Sequence, residues 1–251
     1  MMENTKPKWG IDSCVLHILA MGFMLCDHLW ATLLPAQGWL TCIGRLTFPI
    51  FAFMIAEGYY YTSNVKKYMC RLFIFAILSE IPFNLIMGSS VFYPFHQNVL
   101  WTFLIGLISI QIIEKVKKKE NKVLLVLTIC LVVGVDYILG TIAMVDYYGA
   151  GILMVLLFYF FREKNWVSFV AQLIGMYYLN VVVLGDLYYP VTIFGHEFEI
   201  VQQGFALFSL IPIWLYNGRQ GYHSKWFQYF CYAFYPVHLL LLYIIWQWSI
   251  H

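Results

Sequence analysis

Charged residues are scarce in this chain. Only 11% of its 251 residues are Asp, Glu, Lys or Arg, whereas 62% are hydrophobic. A soluble domain carries about 25% charged residues, so this deficit excludes an ordinary soluble domain and indicates a protein embedded in a bilayer. The formal net charge of +2 gives no indication of nucleic-acid binding, and we predict no nucleic-acid partner.

Several motifs that would define a soluble enzyme or a metal site are also missing. The six cysteines lie within apolar runs and form no CxxC pair, so we interpret them as small buried hydrophobic residues and predict no metal site. No GxSxG sequence supports an activated serine. No glycine-rich loop is present to bind a phosphate. No small-residue cleavage site follows the first apolar run, so we expect no cleavable signal peptide.

What the sequence has in abundance is long apolar runs. A hydrocarbon core of about 30 Å needs roughly 20 helical residues. The sequence therefore predicts an all-α, polytopic membrane protein that forms a single domain over residues 1–251. The sixth of its segments is short, and the seventh is interrupted by polar residues near Asn180. The nine predicted spans are 13–34, 39–62, 68–87, 98–114, 123–144, 148–161, 166–184, 199–216 and 226–248.

The basic residues alternate with these spans. Lysine and arginine collect on the cytoplasmic side of membrane proteins. With nine spans, every Lys and Arg except Arg45 falls on one side, which predicts a cytoplasmic N-terminus and an extracytoplasmic C-terminus. The residues on that side are Lys6, Lys8, Lys66, Lys67, Arg71, Lys115, Lys117, Lys118, Lys119, Lys122, Arg162, Lys164, Arg219 and Lys225.

A group of polar residues falls at one predicted depth, in the outer half of the membrane. A charged side chain at the bilayer centre costs about 2.5–3.5 kcal/mol on insertion scales. Several such groups together therefore predict a polar chamber inside the bundle that opens to the outside. Glu57 and His17 are predicted deeper, toward the cytoplasm. The residues of the outer group are Asp27, His28, Arg45, Glu80, Asn98 and Asp136.

Six stretches of the sequence, in this order, resemble the TraX family. They are DH at 27–28, GRLTFPIFAFMIAEGY at 44–59, RLFIFAILSEIPFN at 71–84, QNVLWTFLIG at 97–106, YYGAGI at 147–152 and YAFYPVHLLLLY at 232–243. The family is named for the plasmid-encoded protein that acetylates the N-terminus of F-type pilin, and it resembles the wider set of multi-pass membrane acyltransferases. The resemblance implies a transmembrane acetyltransferase of the bacterial cytoplasmic membrane that takes acetyl groups from cytoplasmic acetyl-CoA.

Acetyl transfer needs a base for the acceptor proton and a donor that stabilises the oxyanion. Histidine suits the first role because its ordinary pKa is near 6.5. We predict His28 as the base and His238 as its competitor. Asp27 lies roughly 100° around the helix from His28, so it cannot simply be assumed to orient the ring, and pairing with Arg45 is the alternative. Arg45 is predicted to hold the thioester carbonyl or a substrate anion.

The remaining predicted site residues serve the acceptor and the donor. Asn98 is a candidate oxyanion donor, and Glu80 is a candidate for positioning an acceptor amine or hydroxyl. Lys66, Lys67 and Arg71 are predicted to bind the phosphates of coenzyme A at the cytoplasmic mouth, from which its long pantetheine arm would reach the chamber.

The sequence does not identify the acceptor of the acetyl group. It could be a cell-envelope glycan, a pilin-like peptide amine, a lipid or a small molecule, and membrane lipid is the other predicted partner. A different function would use the same buried groups, since acids and histidines in a bundle can also carry protons in a coupled transporter or flippase.

Overall fold

The computed structural model describes residues 9–185 and 187–250, and this part of the chain is largely helical. Lys6 and Lys8, which the sequence predicts on the cytoplasmic side, lie outside the described residues. The α-helices in the described ranges are α1 (Ser13–Thr32), α2 (Gly38–Gly44), α3 (Thr47–Tyr61), α4 (Val65–Gly88), α5 (Val99–Lys117), α6 (Lys122–Ile142), α7 (Tyr148–Phe160), α8 (Trp166–Tyr177), α9 (Leu210–Leu215) and α10 (Lys225–Ile250).

Short polar side chains mark where many of these helices begin. An N-cap oxygen accepts one of the backbone N–H groups that the first helical turn leaves without a partner. The caps, with the backbone nitrogen that each one binds, are Asp12 to Val15 at 3.0 Å, Asn64 to Lys67 at 2.9 Å, Asn98 to Leu100 at 3.1 Å, Asn121 to Leu124 at 3.0 Å and Asn165 to Ser168 at 2.8 Å. Polar residues at the borders of the apolar runs therefore set the helix boundaries.

Helix lengths and surfaces agree with the predicted polytopic membrane protein. Within the described residues, seven helical segments are long and apolar enough to cross a bilayer, and two shorter apolar ones are Tyr148–Phe160 and Gln202–Leu215. On α6, Val123, Leu127, Leu131 and Ile142 are all more than 60% exposed. An apolar surface of this extent fits contact with lipid.

The short helix α7 lies at the centre of the bundle. Ile152, Met154 and Phe158 of this helix are fully buried. Gly149 allows α6 to approach closely, because a Cβ at this position would lie 2.2 Å from the carbonyl oxygen of Tyr137. Small residues at such crossings let helix backbones pack tightly in a membrane. The segment that the sequence marked as short is therefore an internal helix with most of its surface covered by protein.

The structure interrupts one of the predicted spans and corrects the start of another. The span predicted over 39–62 is divided into α2 and α3, because the helix ends at Gly44 and restarts at Thr47. The span predicted to begin at residue 199 is wrong at its start. Strands β1 (Tyr188–Ile193) and β2 (His196–Val201) form an antiparallel hairpin, and a 3₁₀ segment follows over Gln202–Ser209. The interruption expected near Asn180 is a π-helical segment, Tyr178–Val183, that continues α8.

The connections that carry the basic residues meet at one end of the bundle, here called the basic end. Arg162, after α7, is paired with Glu57 of α3, and its guanidinium lies 4.2 Å from the ring centroid of Tyr60. Lys164 donates to the carbonyl oxygen of Trp214 at 2.8 Å, near the end of α9. Arg71 of α4 donates to the hydroxyl of Tyr232 in α10 at 3.3 Å.

Candidate functional site

Two cavities lie inside the helical bundle. The first, here called the large cavity, has a volume of about 630 Å³, and exposed residues such as Asn64, Lys67 and His223 line it at the basic end. Ligand pockets in proteins span about 300–1,000 Å³. The second, here called the small chamber, has a volume of about 50 Å³ and is lined by Asp27 and His28 among others.

Five residues line both cavities: Met24, Phe51, Val99, Phe103 and Tyr235. We call this set the neck. Its side chains are apolar or aromatic and come from α1, α3, α5 and α10. Along α1, the large cavity is lined from Ser13 to Met24 and the small chamber from Met24 to His28. At ~1.5 Å per residue, the path from Ser13 to His28 is about 22 Å along the helix.

Asp27 and Arg45 form an ion pair beside the small chamber. Arg45 Nη2 lies 2.8 Å from Asp27 Oδ1, and the two side chains are 19% and 21% exposed. Thr41 completes the arrangement, since its hydroxyl donates to Asp27 at 2.7 Å and accepts from Arg45 at 2.8 Å. The break between α2 and α3 places Arg45 in this position. The sequence left open whether Asp27 orients His28 or pairs with Arg45, and in the structure it pairs with Arg45.

The ion pair is part of a longer polar chain. Arg45 Nη1 donates to Gln203 at 3.3 Å, and Gln203 in turn donates to Asn180 at 3.0 Å. The π-helical segment after α8 is thus tied to the site. Gly44 allows this packing, because a Cβ there would lie 2.4 Å from the Cβ of Asp27. A side chain at Gly44 would therefore push Asp27 out of its place.

His28 and His238 are hydrogen-bonded to each other across α1 and α10. Nδ1 of His28 lies 2.6 Å from Nε2 of His238, and the two rings are inclined by only 22°. Nδ1 of His238 lies 2.6 Å from the carbonyl oxygen of Phe234. A carbonyl can only accept, so Nδ1 of His238 carries the hydrogen and its Nε2 accepts from His28. This assignment leaves Nε2 of His28 without a hydrogen in the neutral pair.

Glu80 and Asn98 contact each other but line neither cavity. Oε1 of Glu80 accepts from the side-chain amide of Asn98 and from Nε1 of Trp101 at 2.6 Å. The amide of Asn98 also donates to the carbonyl oxygen of Ala76 at 2.9 Å, and Asn98 is fully buried as the N-cap of α5. Both residues therefore tie α4 to α5, and the amide hydrogens predicted for an oxyanion already have partners.

The three residues predicted to bind coenzyme A do not all line the same cavity. Lys67 and Arg71 line the large cavity, whereas Lys66 does not. Lys66 and Lys67 are neighbours on α4 and point roughly 100° apart around the helix. Tyr68 and Tyr232, whose ring centroids both lie 5.8 Å from the Arg71 guanidinium, also line this cavity. The large cavity therefore combines basic and aromatic groups near its mouth.

Asp146 and Tyr147 line the small chamber and were not predicted from the sequence. Asp146 lies between α6 and α7, and its Oδ1 is 3.3 Å from Nε2 of His96. Burial opposes the charged form of His96, but the hydrogen bond and the charge of Asp146 outweigh burial and raise its pKa above the ordinary value. One feature of the sequence could have indicated Asp146, because the YYGAGI stretch that resembles the TraX family begins directly after it.

The other buried acids and histidines lie away from the small chamber. Asp136 packs between α5 and α6, where Ser109 donates to it at 3.0 Å, and it does not join the outer group. His17 is hydrogen-bonded to the carbonyl oxygen of Ser13 within its own helix at 2.7 Å. His17 and Glu57 both line the large cavity.

Comparison with known proteins finds a family and a relative that resemble this chain over most of its length. The family model described as "TraX protein" matches residues 13–246. The probable fimbrial assembly protein FimC, serogroup H1, of Dichelobacter nodosus is 24% identical over 244 residues, which covers 90% of this chain and 92% of that protein. No solved structure matches the chain significantly. Because the family model covers nearly all of the described helices, the chain belongs to the TraX family.

Proposed function

We propose that this protein transfers an acetyl group from cytoplasmic acetyl-CoA to an acceptor amine or hydroxyl in the outer half of the bacterial cytoplasmic membrane. The observation that carries the proposal is the neck, because the same five residues line a large cavity at the basic end and the small chamber that contains His28. The basic end then faces the cytoplasm, in agreement with the distribution of positive charge. If the two short apolar helices also count as membrane segments, the described residues contain nine, the number that the positive charges predict.

The large cavity suits the nucleotide end of the donor. Arg71 and Lys67 supply positive charge for its phosphates, and tyrosines beside Arg71 offer flat faces for an adenine ring. The volume of about 630 Å³ fits a ligand of this class. The pantetheine arm, which can span about half of a ~30 Å hydrocarbon core, would pass the neck and bring the thioester carbonyl to His28.

His28 acts as the base in this proposal. Its Nε2 takes the proton as the acceptor oxygen or nitrogen forms a bond to the thioester carbon. The carbon–sulfur bond then breaks, and the same proton passes to the leaving thiolate, so the products are the acetylated acceptor and coenzyme A. His238 holds the ring of His28 in the required tautomer through the hydrogen bond between them.

The Asp27–Arg45 pair supports His28 from the next position on α1. Because both charges are largely satisfied by each other and by Thr41, the pair fixes α1 against α2 rather than taking up the proton. For the acceptor, the fimbrial name of the relative and the association of the family with pilin acetylation support a peptide amine. A cell-envelope glycan and a small molecule are the other acceptors that fit an amine- or hydroxyl-accepting chamber.

The test is an assay in proteoliposomes with the acetyl donor on one side of the membrane and the acceptor on the other. Purified protein is reconstituted with ethanolamine enclosed in the lumen, because this probe offers both an amine and a hydroxyl. An epitope inserted at 118–121 reports which orientation each vesicle population has. Radiolabelled acetyl-CoA is then added outside. We expect labelled acetyl product or acetate inside those vesicles whose basic end faces outward, together with release of coenzyme A outside.

Two outcomes would contradict the proposal. Label found only as acetate on the side of the donor would show that no acetyl group crosses the bundle. Movement of ethanolamine or protons without consumption of acetyl-CoA would instead favour the coupled transporter. Vesicles with the basic end inward serve as the internal control, since acetyl-CoA outside them cannot reach the large cavity.

Arg71→Gln should weaken binding of the nucleotide end of the donor. We expect KM for acetyl-CoA to rise by about tenfold, the effect of losing one charge-assisted contact to phosphate, with kcat changed much less. Lys66→Gln is the matched control, because Lys66 lies on the same turn of α4 but outside the large cavity, and its KM should stay within twofold. Acetyl-pantetheine, which lacks the nucleotide, should react equally with both variants. An equal loss with both donors would contradict this role for Arg71.

A further inference from the structure

Asp146 differs from the other carboxylates of the site in its position. It belongs to the connection between α6 and α7, at the end of the bundle opposite the basic end, and it lines the small chamber together with His28. Glu80, which the sequence suggested for positioning the acceptor, lines neither cavity. An acceptor arriving from outside would therefore meet Asp146 rather than Glu80.

The backbone around Asp146 is held at both sides. Its N–H donates to the carbonyl oxygen of Gln97 at 2.9 Å, and its carbonyl oxygen accepts from the hydroxyl of Thr102 at 2.6 Å. Gln97 also donates to the carbonyl oxygen of Met144 at 2.8 Å. These bonds fasten the connection to the start of α5. The position of Asp146 relative to the chamber is thus fixed.

The same connection and the first residue of α7 contain non-glycine residues with positive φ. Met144, Tyr147 and Tyr148 have φ angles of 51°, 62° and 50°. Left-handed conformations of this kind cost on the order of 1–3 kcal/mol each and persist where the surrounding structure holds them. Tyr147 is held by its ring, which stacks on Phe48 with the centroids 3.9 Å apart. A strained turn that carries two chamber-lining side chains points to a functional role.

The carboxylates of Asp27, Glu80 and Asp146 also differ in the hydrogen bonds that they accept. Asp27 is matched by Arg45 and Thr41 at 2.7–2.8 Å. Glu80 accepts from the buried side chain of Asn98 and from Trp101. Asp146 has a longer contact, 3.3 Å to His96, and both of these side chains are more than a quarter exposed. Asp146 is therefore the chamber carboxylate best able to accept a further hydrogen bond from a ligand while it keeps its contact with His96.

We propose that Asp146 binds the acceptor, accepting a hydrogen bond from its N–H or O–H group so that the nucleophilic lone pair faces the thioester carbonyl near His28. This inference rests on the proposed acetyl transfer. The ligand class is a hydrogen-bond-donating nucleophile, that is, a hydroxyl or a neutral amine; an amine that arrives as its cation first releases one proton to water, which frees the lone pair. His96 orients the Asp146 carboxylate from the outer side.

The experiment compares transfer with hydrolysis. Water replaces the acceptor when acetyl-CoA is hydrolysed, so hydrolysis needs His28 but no acceptor-binding carboxylate. Purified protein is incubated with radiolabelled acetyl-CoA and ethanolamine, and the ratio of acetylated ethanolamine to acetate is measured. For Asp146→Asn we expect this ratio to fall by about tenfold or more, as for loss of a charged hydrogen-bond partner, while acetate release stays within twofold of the parent protein.

Three comparison variants make the result decisive. Glu197→Gln, on the exposed hairpin, should leave the ratio unchanged. His96→Gln should lower the ratio in the same direction by a smaller factor, and it tests the inference even where Asp146→Asn fails to fold. A fall of the ratio in Glu80→Gln but not in Asp146→Asn would overturn the inference, as would an unchanged ratio in both Asp146→Asn and His96→Gln. Absence of both products in the parent protein would instead reject the proposed acetyl transfer.

Discussion

Replacing His28 by glutamine is expected to lower kcat for acetyl transfer by about 10²–10⁴-fold, the usual effect of removing a general base. KM for acetyl-CoA should change little, because His28 lies beyond the neck from the large cavity. The reason is the hydrogen-bonded series from Phe234 through His238 to His28. The unprotonated Nε2 of His238 already accepts the hydrogen bond from His28, so Nε2 of His28 is the nitrogen of the pair that can take a proton from the acceptor. Single-turnover measurements with radiolabelled acetyl-CoA would report the chemical step directly.

The roles of the two histidines can be separated with matched variants. His238→Gln keeps an amide that can donate to Phe234 and accept from His28, so we expect a smaller loss of kcat than in His238→Leu, which can do neither. His196→Gln, on the exposed hairpin, serves as the control. Normal turnover in His28→Gln combined with strong loss in His238→Gln would show that the base is His238, while leaving the acetyl transfer itself intact.

Breaking the Asp27–Arg45 pair is expected to have the largest effect on stability. Asp27→Asn leaves a guanidinium without its partner in the bundle, and removal of one member of a buried pair costs about 3–5 kcal/mol. Arg45→Gln should cost less, because the Asp27 carboxyl can take up a proton whereas arginine cannot lose one. Unfolding in mixed micelles with increasing denaturing detergent would measure the free energies.

The double variant Asp27→Asn with Arg45→Gln distinguishes an ion pair from simple packing. It removes both charges, so we expect it to be more stable than Asp27→Asn alone, with a coupling energy of about 0.5–3 kcal/mol. Lys117→Met breaks the pair of Glu114 with Lys117, whose side chain is 59% exposed, and should change stability by less than about 1 kcal/mol. Strictly additive losses at Asp27 and Arg45 would rule out coupling between the two charges.

Apolar run length and charge distribution were sufficient to predict most of the helices. The positions of the helix ends follow from Asn and Asp caps that stand in the sequence, and the depth of Asp27 and Arg45 made their contact one of two possibilities. Helix periodicity cannot show a break such as that at Arg45, since α2 and α3 are both apolar. The hairpin was missed because run length identifies spans only: residues 188–198 fall in the connection between two predicted spans, and 199–201 were joined to the span that follows.

The candidate site was harder to predict than the fold. The depth of a residue along a span does not reveal in which direction its side chain points around the helix axis. Glu80 and Asn98 were therefore grouped with His28, although neither lines the small chamber. The same limit hid the contact between His28 and His238, which the sequence presented as competitors. Asp146 was missed because a short connection between two apolar runs reads as a surface loop. Only the folded backbone brings that connection against the start of α5.

The apolar neck has a consequence for the energy metabolism of the cell. A bacterial membrane stores work as a proton-motive force, and any continuous aqueous route through it would dissipate that store. Narrow constrictions formed by apolar side chains exclude water and therefore ions. In the membrane location and with the activity proposed above, the side chains of Met24, Phe51 and Tyr235 would keep protons from crossing the bundle between turnovers, so that the cell need not spend respiration on replacing leaked protons.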